Sequence, residues 1–249
     1  AIVTGVQTCA LPISSSPYQN PFLALLDKDA TEDNGEVYGF SLVYSGNFLG
    51  QVQVNHFDQT RVNLGINPFD FNWLLKPTDS FQTPEVVMVY SNQGLNQMSQ
   101  AYHKLYRTRL ARGKYRDEVR PILVNNWEAT YFDFNEDKLL DLAKTASDLG
   151  IELFVLDDGW FGNRDDDHSS LGDWFVDERK LPNGLDSLGE KIEDLDMDFG
   201  LWFEPEMISP DSELYRAHPD WCIHVPNRGR SRGRHQLILD LSRKEVQDK

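Results

Sequence analysis

Cysteine, positive charge and long apolar runs are all scarce in this sequence of 249 residues. Two cysteines, Cys9 and Cys222, are too few for a disulfide framework and have no partner spacing for a zinc site. The formal net charge of −16, from 40 acidic against 24 basic residues, argues against nucleic acid or an anionic membrane surface as a partner. No stretch approaches the roughly 18 uninterrupted apolar residues of a membrane helix, and the first residues lack the pattern of a signal peptide. With a hydrophobic content of 40%, enough for a buried core, these absences favour a soluble cytoplasmic protein.

Both ends of the sequence indicate a fragment. Residues 1–13 look like the in-frame translation of a sequencing-adapter oligonucleotide, so we exclude them from the fold prediction. At the other end, residues 244–249 stop inside a predicted helix. We therefore expect a longer parent protein.

Residues 14–94 show short apolar or alternating runs broken by turn residues. Tyr38 to Tyr44 and Phe48 to Val54 are two such runs, and the Ser-Gly-Asn between them is a hairpin signal. Val62 to Ile66 and Val86 to Tyr90 continue the series. The pattern predicts an antiparallel β-sandwich, or the end of one.

Residues 95–119 change character and predict a linker helix between two domains. Leu95, Met98, Tyr102, Leu105 and Tyr106 recur at helical spacing.

Residues 120–249 alternate between strands and helices. Predicted strands begin at Ile122, Ile151 and Phe199, and the run Ile151 to Leu156 is nearly continuous and apolar, as in a parallel strand covered on both faces. Asn135 is the predicted cap of a helix that ends at Gly150 and has one apolar face, formed by Leu139, Leu142, Ala143, Ala146 and Leu149. Three consecutive strand–helix steps with charged and aromatic residues at the strand ends favour the first part of a (β/α)₈ TIM barrel over a doubly wound sheet. No glycine fingerprint of a dinucleotide site follows any strand.

The predicted strands end in carboxylates and indoles. In a barrel the carboxyl ends of the strands meet at one mouth, where we expect Trp127, Asp157, Asp158, Trp202 and Glu204 to face a common cavity. Carboxylates can hold adjacent sugar hydroxyls through charge-assisted hydrogen bonds, and an indole packs against the apolar face of a sugar ring. The alternatives are that Asp157 and Asp158 merely open a loop and that the two indoles fill the core.

Three further groups have a functional and a structural interpretation. Glu204 and Glu206 alternate across a strand end, so only one is expected to point into the mouth, with the other in a structural bond. The run from Asp165 to His168 favours a solvated loop over a metal site. Arg228 to His235 is a basic island in an acidic chain, and Arg234 is its best candidate for reaching an acidic cavity, although a solvated loop is the alternative.

At these residues the chain strongly resembles bacterial α-galactosidases of glycoside hydrolase family 36, from about Asn20 to Lys249. The resemblance implies an N-terminal β-supersandwich, a (β/α)₈ catalytic barrel and a C-terminal β-domain. The resembling segments are residues 20–22, 35–47, 126–128, 156–161, 171–174 and 202–207.

By position in these motifs, the resemblance implies that Trp127, Asp157, Asp158, Trp202 and Arg234 bind galactose. It also implies a retaining two-carboxylate mechanism without cofactor or metal, acting on terminal α-linked galactose in melibiose, raffinose or stachyose. The family nucleophile lies in a Lys-Trp-Asp motif, which this sequence does not contain. Retention needs two carboxyl groups roughly 5 to 5.5 Å apart on opposite sides of the scissile bond, which neighbours on one strand end cannot supply. Asp157 and Asp158 are therefore expected to bind sugar, and no catalytic residue is assigned.

Other functions stay open at this point. A transglycosylase that passes galactose to another sugar, or an α-N-acetylgalactosaminidase with a roomier pocket, would share these motifs. A catalytically inactive sugar-binding protein is the alternative from another class. The resemblance further implies a homotetramer for the full-length parent.

Overall fold

The computed structural model describes residues 19–69, 71–230 and 232–249, together with the backbone of residues 13–14. The chain divides into two compact units, Ala1–Glu118 and Val119–Lys249. The predicted adapter segment, residues 1–13 with Cys9, lies outside the described residues apart from the backbone of Ile13. The domain boundaries drawn from the sequence stay predictions.

The described part of the first unit contains two antiparallel sheets of three strands each. In one sheet the order is β1 (Ile13–Ser14), β4 (Asn47–Val54) and β5 (Thr60–Ile66). In the other it is β2 (Phe22–Leu26), β3 (Val37–Leu42) and β6 (Val86–Ser91). The sheets approach each other at Gly50, where a Cβ would lie 3.3 Å from Leu23 Cδ1, so the predicted sandwich is confirmed.

The predicted hairpin between the third and fourth strands is wrong. β3 has β2 on one edge and β6 on the other, so neither edge is free for β4. The chain instead crosses to the other sheet after Leu42. A hairpin instead joins β4 to β5, where Asn55 Oδ1 accepts hydrogen bonds from the backbone of Phe57 and Gln59. An asparagine that satisfies nearby backbone donors stabilises a tight turn.

A helix covers one face of the second sheet. α1 (Gly94–Leu105) continues as a π-helical turn (Tyr106–Leu110), and a 3₁₀ turn follows (Lys114–Arg116). Met98 and Tyr102 pack over Gly39, where a Cβ would lie 2.7 Å from Met98 Sδ. The Tyr102 hydroxyl donates to the Val87 carbonyl oxygen at 3.0 Å. The helix that the periodicity predicts is therefore present and packs within the first unit.

The second unit begins with three parallel strands in the order β7 (Leu123–Asn125), β8 (Leu153–Leu156) and β9 (Asp198–Leu201). A single turn, α2 (Trp127–Thr130), and the longer α3 (Glu136–Asp148) connect the first two strands, and α4 (Gly184–Glu193) precedes the third. This strand–helix–strand order is that of the first part of a (β/α)₈ barrel, as predicted.

The periodicity also predicts most of the helical core. Asn135 caps α3 by accepting from Lys138 N at 3.0 Å, and Gly150 ends it at φ +79°. Leu149, predicted to face the core, is 77% exposed because it follows the last helical turn. The buried cluster between the sheet and these helices includes Leu139, Ala143, Phe154, Leu156, Leu188 and Ile192.

The rest of the second unit is a short antiparallel pair with small helices. β10 (Met207–Ile208) pairs with β11 (Leu237–Ile238). Between and after them lie α5 (Glu213–Ala217), a 3₁₀ turn (Pro219–Trp221) and α6 (Lys244–Gln247). In the described part of the chain, none of the helices has the length and apolar character needed to cross a membrane.

Candidate functional site

Four of the five predicted sugar-binding residues lie at one edge of the parallel sheet. Trp127 starts α2 just after β7, Asp157 and Asp158 directly follow β8, and Trp202 directly follows β9. The parallel register aligns Asn125 with Val155 and Leu156 with Leu201, so the three strands end at the same edge. The three strand ends therefore lie together, while the expectation that these side chains face a common cavity stays a prediction.

Two asparagines at the end of β7, Asn125 and Asn126, hold Asp157. Asn125 Nδ2 donates to Asp157 Oδ2 at 2.5 Å, and Asn126 Oδ1 accepts from the Asp157 backbone N–H at 2.8 Å. Asn125 Oδ1 also accepts from Trp127 N at 2.7 Å, so one side chain ties the indole and the carboxylate together. The half-buried Asp157 carboxylate accepts a further bond from Asp158 N at 2.7 Å. The sequence prediction missed both asparagines, although their position at a strand end was the available signal.

Asp158 lies in a very different environment from its neighbour. It is buried, and both of its carboxylate oxygens accept from the guanidinium of Arg164, at 2.5 and 2.8 Å. Arg164 is itself completely buried and was not among the predicted site residues. In the sequence, Arg164 is followed by three aspartates in a polar loop, a context that does not predict a buried side chain.

The two indoles differ in their surroundings. Trp127 is half-buried, and Tyr131 and Phe132 meet it edge to face at centroid distances of 5.2 and 5.0 Å. Trp202 is also half-buried, but it packs against the main core and stacks nearly parallel to Phe161 at 6.4 Å. Each indole thus combines aromatic contacts with a partly exposed surface, and a role in sugar binding stays a prediction for both.

Glu204 and Arg234 are close enough to influence each other. The β10–β11 pair carries the loop of Arg234 back towards the end of β9, and Gln236 Nε2 contacts Glu204 Oε2 at 3.5 Å. Burial raises the pKa of Glu204, while the positive charge of Arg234 opposes that rise. Arg234 itself is exposed, in a turn where its φ is +49°. Of the two alternating glutamates, Glu204 is half-buried and Glu206 is exposed.

The acidic run after Arg164 forms ion pairs. Asp165 contacts Arg179 Nη1 at 3.0 Å and Lys180 Nζ at 3.1 Å, and its hydrogen bond from Arg179 lowers its pKa. His168 Nδ1 lies 3.1 Å from Asp167 Oδ1. Within residues 19–69, 71–230 and 232–249, no group of three or more histidine, cysteine or acidic side chains has the arrangement of a metal site.

Asp173, in the Gly-Asp-Trp motif, has a structural role. Its buried carboxylate accepts from the backbone N–H groups of Glu213 at 2.9 Å and Leu214 at 3.0 Å, at the start of α5. The adjacent Trp174 packs against Phe161 at a centroid distance of 4.5 Å. A carboxylate at a helix N-terminus satisfies backbone donors that lack helical partners.

Comparison with known proteins places these features among the glycoside hydrolases. Residues 12–76 match the family model for the glycosyl hydrolase family 36 N-terminal domain, and residues 80–249 match the melibiase model. The chain belongs to glycoside hydrolase family 36.

Curated relatives are similar over nearly the whole chain. α-Galactosidase AgaA from Geobacillus stearothermophilus is 68% identical over 248 residues, covering 99% of this chain and 34% of the relative. α-Galactosidase 1 from Pediococcus pentosaceus is 55% identical over 245 residues, covering 98% of this chain and 33% of the relative. The chain thus spans about a third of the length of the curated relatives it matches.

Solved structures match in three dimensions as well. A variant of AgaA in complex with 1-deoxygalactonojirimycin has a TM-score of 0.89 and 70% identity, with 92% of this chain and 32% of that chain covered. Another AgaA variant, in complex with raffinose, has a TM-score of 0.94 and 67% identity, with 99% of this chain and 34% of that chain covered.

Proposed function

We propose that the whole protein is a retaining α-galactosidase that hydrolyses terminal non-reducing α-D-galactosyl residues of oligosaccharides such as melibiose, raffinose and stachyose. Membership of family 36 and relatives named as α-galactosidases support this proposal. Relatives solved in complex with raffinose and with stachyose support the substrate class.

Galactose recognition is the part of this function that we assign to these 249 residues. The observation that carries the assignment is the Asp157 carboxylate, half-buried at the strand end and held by Asn125 and by the Asp158 backbone. An ionised carboxylate in a fixed orientation accepts hydrogen bonds from sugar hydroxyls, and such charge-assisted bonds are stronger than neutral ones. Asp157 and Asp158 would distinguish the axial hydroxyl of galactose from the equatorial one of glucose.

The other predicted residues complete the proposed pocket. Trp127 and Trp202 would form its wall, each with a partly exposed indole surface. Arg234 would donate to sugar hydroxyls from the turn between Gly233 and Gln236, near the carboxylate of Glu204.

We assign no catalytic residue within this sequence. A retaining mechanism needs carboxyl groups on opposite sides of the glycosidic bond, whereas Asp157 and Asp158 are neighbours at one strand end. Asp158 is in addition paired with Arg164 through both oxygens. No cofactor or metal is part of the proposed mechanism. A homotetramer and a cytoplasmic location are further proposals, the second supported by the low cysteine content.

The test is the affinity of the whole protein for 1-deoxygalactonojirimycin, compared with its glucose-configured epimer 1-deoxynojirimycin, by isothermal titration calorimetry. We expect selective binding of the galactose-configured compound. Asp157→Asn should weaken that binding by about 10- to 100-fold, because a hydrogen bond to a charged group contributes about 1.5–3 kcal/mol. The matched control is Asp141→Asn on the exposed face of α3, where the side chain is 79% exposed; it should leave the affinity unchanged.

Turnover of an aryl α-galactoside completes the test. The whole protein should release the aryl group with retention at the anomeric carbon, whereas residues 1–249 alone should show no turnover, since Lys-Trp-Asp is absent from them. Equal binding of the two epimers, or an unchanged affinity in Asp157→Asn, would contradict the assignment of galactose recognition to this strand end.

A further inference from the structure

Arg164 is a completely buried arginine that the proposed function does not use. Removing a guanidinium from water costs free energy, and a folded protein tolerates that cost only where the charge is paired and hydrogen-bonded. Since no part of the side chain is exposed, Arg164 cannot contact a sugar itself. Its effect on a ligand must pass through a neighbour.

That neighbour is Asp158. Arg164 Nε donates to Asp158 Oδ1 at 2.5 Å and Nη2 donates to Asp158 Oδ2 at 2.8 Å. Two parallel bonds from a planar guanidinium fix the plane of the carboxylate as well as its position. The remaining nitrogen, Nη1, donates to the Ser169 carbonyl oxygen at 2.6 Å, which anchors the arginine to the far side of the loop.

The surroundings of Arg164 leave its side chain little freedom. The rings of Phe132 and Phe161 lie 5.7 and 5.6 Å from the guanidinium carbon. The buried Lys180 Nζ donates to the Arg164 carbonyl oxygen at 2.7 Å and to the Gly159 carbonyl oxygen at 2.9 Å. The loop that leaves β8 is thereby held at its start and at Arg164.

We propose that Arg164 is a positioning residue for galactose recognition, which fixes the carboxylate of Asp158 at the end of β8. This inference rests on the proposed function. A carboxylate has about four acceptor sites, and Arg164 uses one on each oxygen. The Asp158 side chain is 3% exposed, whereas that of Arg164 is 0% exposed, so the contact with sugar falls to Asp158. Arg164 sets the direction of the remaining acceptor sites of Asp158, and Asn125 sets that of Asp157.

A double-mutant cycle tests this role in the whole protein, with 1-deoxygalactonojirimycin as the probe. Asp158→Asn and Arg164→Gln should each weaken binding by about tenfold or more. If Arg164 acts through Asp158, the double variant should bind no more weakly than Asp158→Asn alone, because coupled residues are non-additive. Losses that simply add would show that Arg164 affects binding by another route, and would overturn the inference.

Two further variants separate positioning from folding. Arg164→Lys keeps the charge but lacks the planar fork, so it should fold and still bind several-fold more weakly than the wild type. The matched control is Arg179→Gln: Arg179 also makes paired bonds to a buried carboxylate, Asp177, at 2.9 and 2.5 Å. Arg179→Gln should lower the melting temperature and leave the affinity for 1-deoxygalactonojirimycin unchanged.

The outcomes distinguish this inference from the proposed function. A wild-type protein that does not bind the probe would refute the proposed function. Wild-type binding together with full affinity in Arg164→Lys, or with full affinity in Asp158→Asn, would overturn only the role of Arg164. An Arg164→Gln protein that does not fold leaves the test to Arg164→Lys and to the double variant, in which no unpaired buried charge remains.

Discussion

The two units of the chain differ in the polar side chains that they bury. Among its described residues the first unit buries only Asn67 and Ser91 as polar side chains, both of them neutral. The second unit buries side chains of both charges: Glu136, Asp158, Arg164, Asp173, Asp177 and Lys180. Ion pairs in the first unit are exposed, as in Arg107–Asp117, whose side chains are 62% and 54% exposed.

The buried charges of the second unit include Asp158, one of the proposed sugar-binding residues. A buried charge contributes little net stability, because the cost of removing it from water offsets the attraction to its partner. The second unit nevertheless keeps such charges around the loop that follows β8, next to the proposed sugar-binding carboxylates. Arg164 fixes one of these carboxylates, Asp158, whereas Asp173 and Lys180 bind backbone groups and hold the fold together.

The largest expected effect is a loss of stability when a buried ion pair is broken, compared with the loss from an exposed pair. Arg164→Gln should lower the free energy of unfolding by about 3–5 kcal/mol, since it leaves the Asp158 carboxylate buried and unpaired. Arg107→Gln in the first unit should change it by at most about 1 kcal/mol. Urea denaturation of the whole protein and both variants measures the two losses, and similar losses would remove the distinction between the units.

A smaller loss of stability is expected when a helix N-cap is removed. Asn135→Ala should destabilise the second unit by about 1 kcal/mol, because Asn135 accepts the Lys138 backbone N–H at the start of α3. Among the described residues, Gln93 at the same position of α1 makes no capping hydrogen bond with its side chain. Gln93→Ala should therefore leave the melting temperature almost unchanged, and a loss equal to that of Asn135→Ala would contradict this account.

The smallest expected effect is a pH-dependent change in the melting temperature when Glu204 is replaced. Burial raises the pKa of Glu204, so folding favours its protonated form. The stability that this contributes is present below the ordinary glutamate pKa and is lost as the pH rises through the folded-state value. Glu204→Gln should therefore raise the melting temperature slightly at pH 7 and bring no such gain below about pH 4.

Tyr102 provides the corresponding control in the first unit. Burial raises its pKa to about 12, so the hydroxyl stays neutral from pH 4 to 7. The difference in melting temperature between Tyr102→Phe and the wild type should be the same at both pH values. A gain from Glu204→Gln that persists at low pH would show that its cause is packing and not ionisation.

Sequence periodicity predicts the second unit better than the strand pairing of the first. The apolar run that contains Phe154 and Leu156, and the spacing of Leu139, Ala143 and Ala146, indicate the parallel strand and the helix that the structure contains. Strand pairing in the first unit depends on which sheet edges are free. The Ser-Gly-Asn signal before β4 is local and carries no information about the edges of β3.

For the site, the sequence by itself determined which carboxylates and indoles follow the strands, because strand periodicity and strand ends are local properties of the chain. Only the tertiary structure decided which partners the adjacent residues Asp157 and Asp158 contact. Asp157 meets Asn125 from the neighbouring strand, while Asp158, one residue later, meets the buried guanidinium of Arg164. Successive side chains at a strand end point in different directions, so their environments depend on the elements that pack on each side.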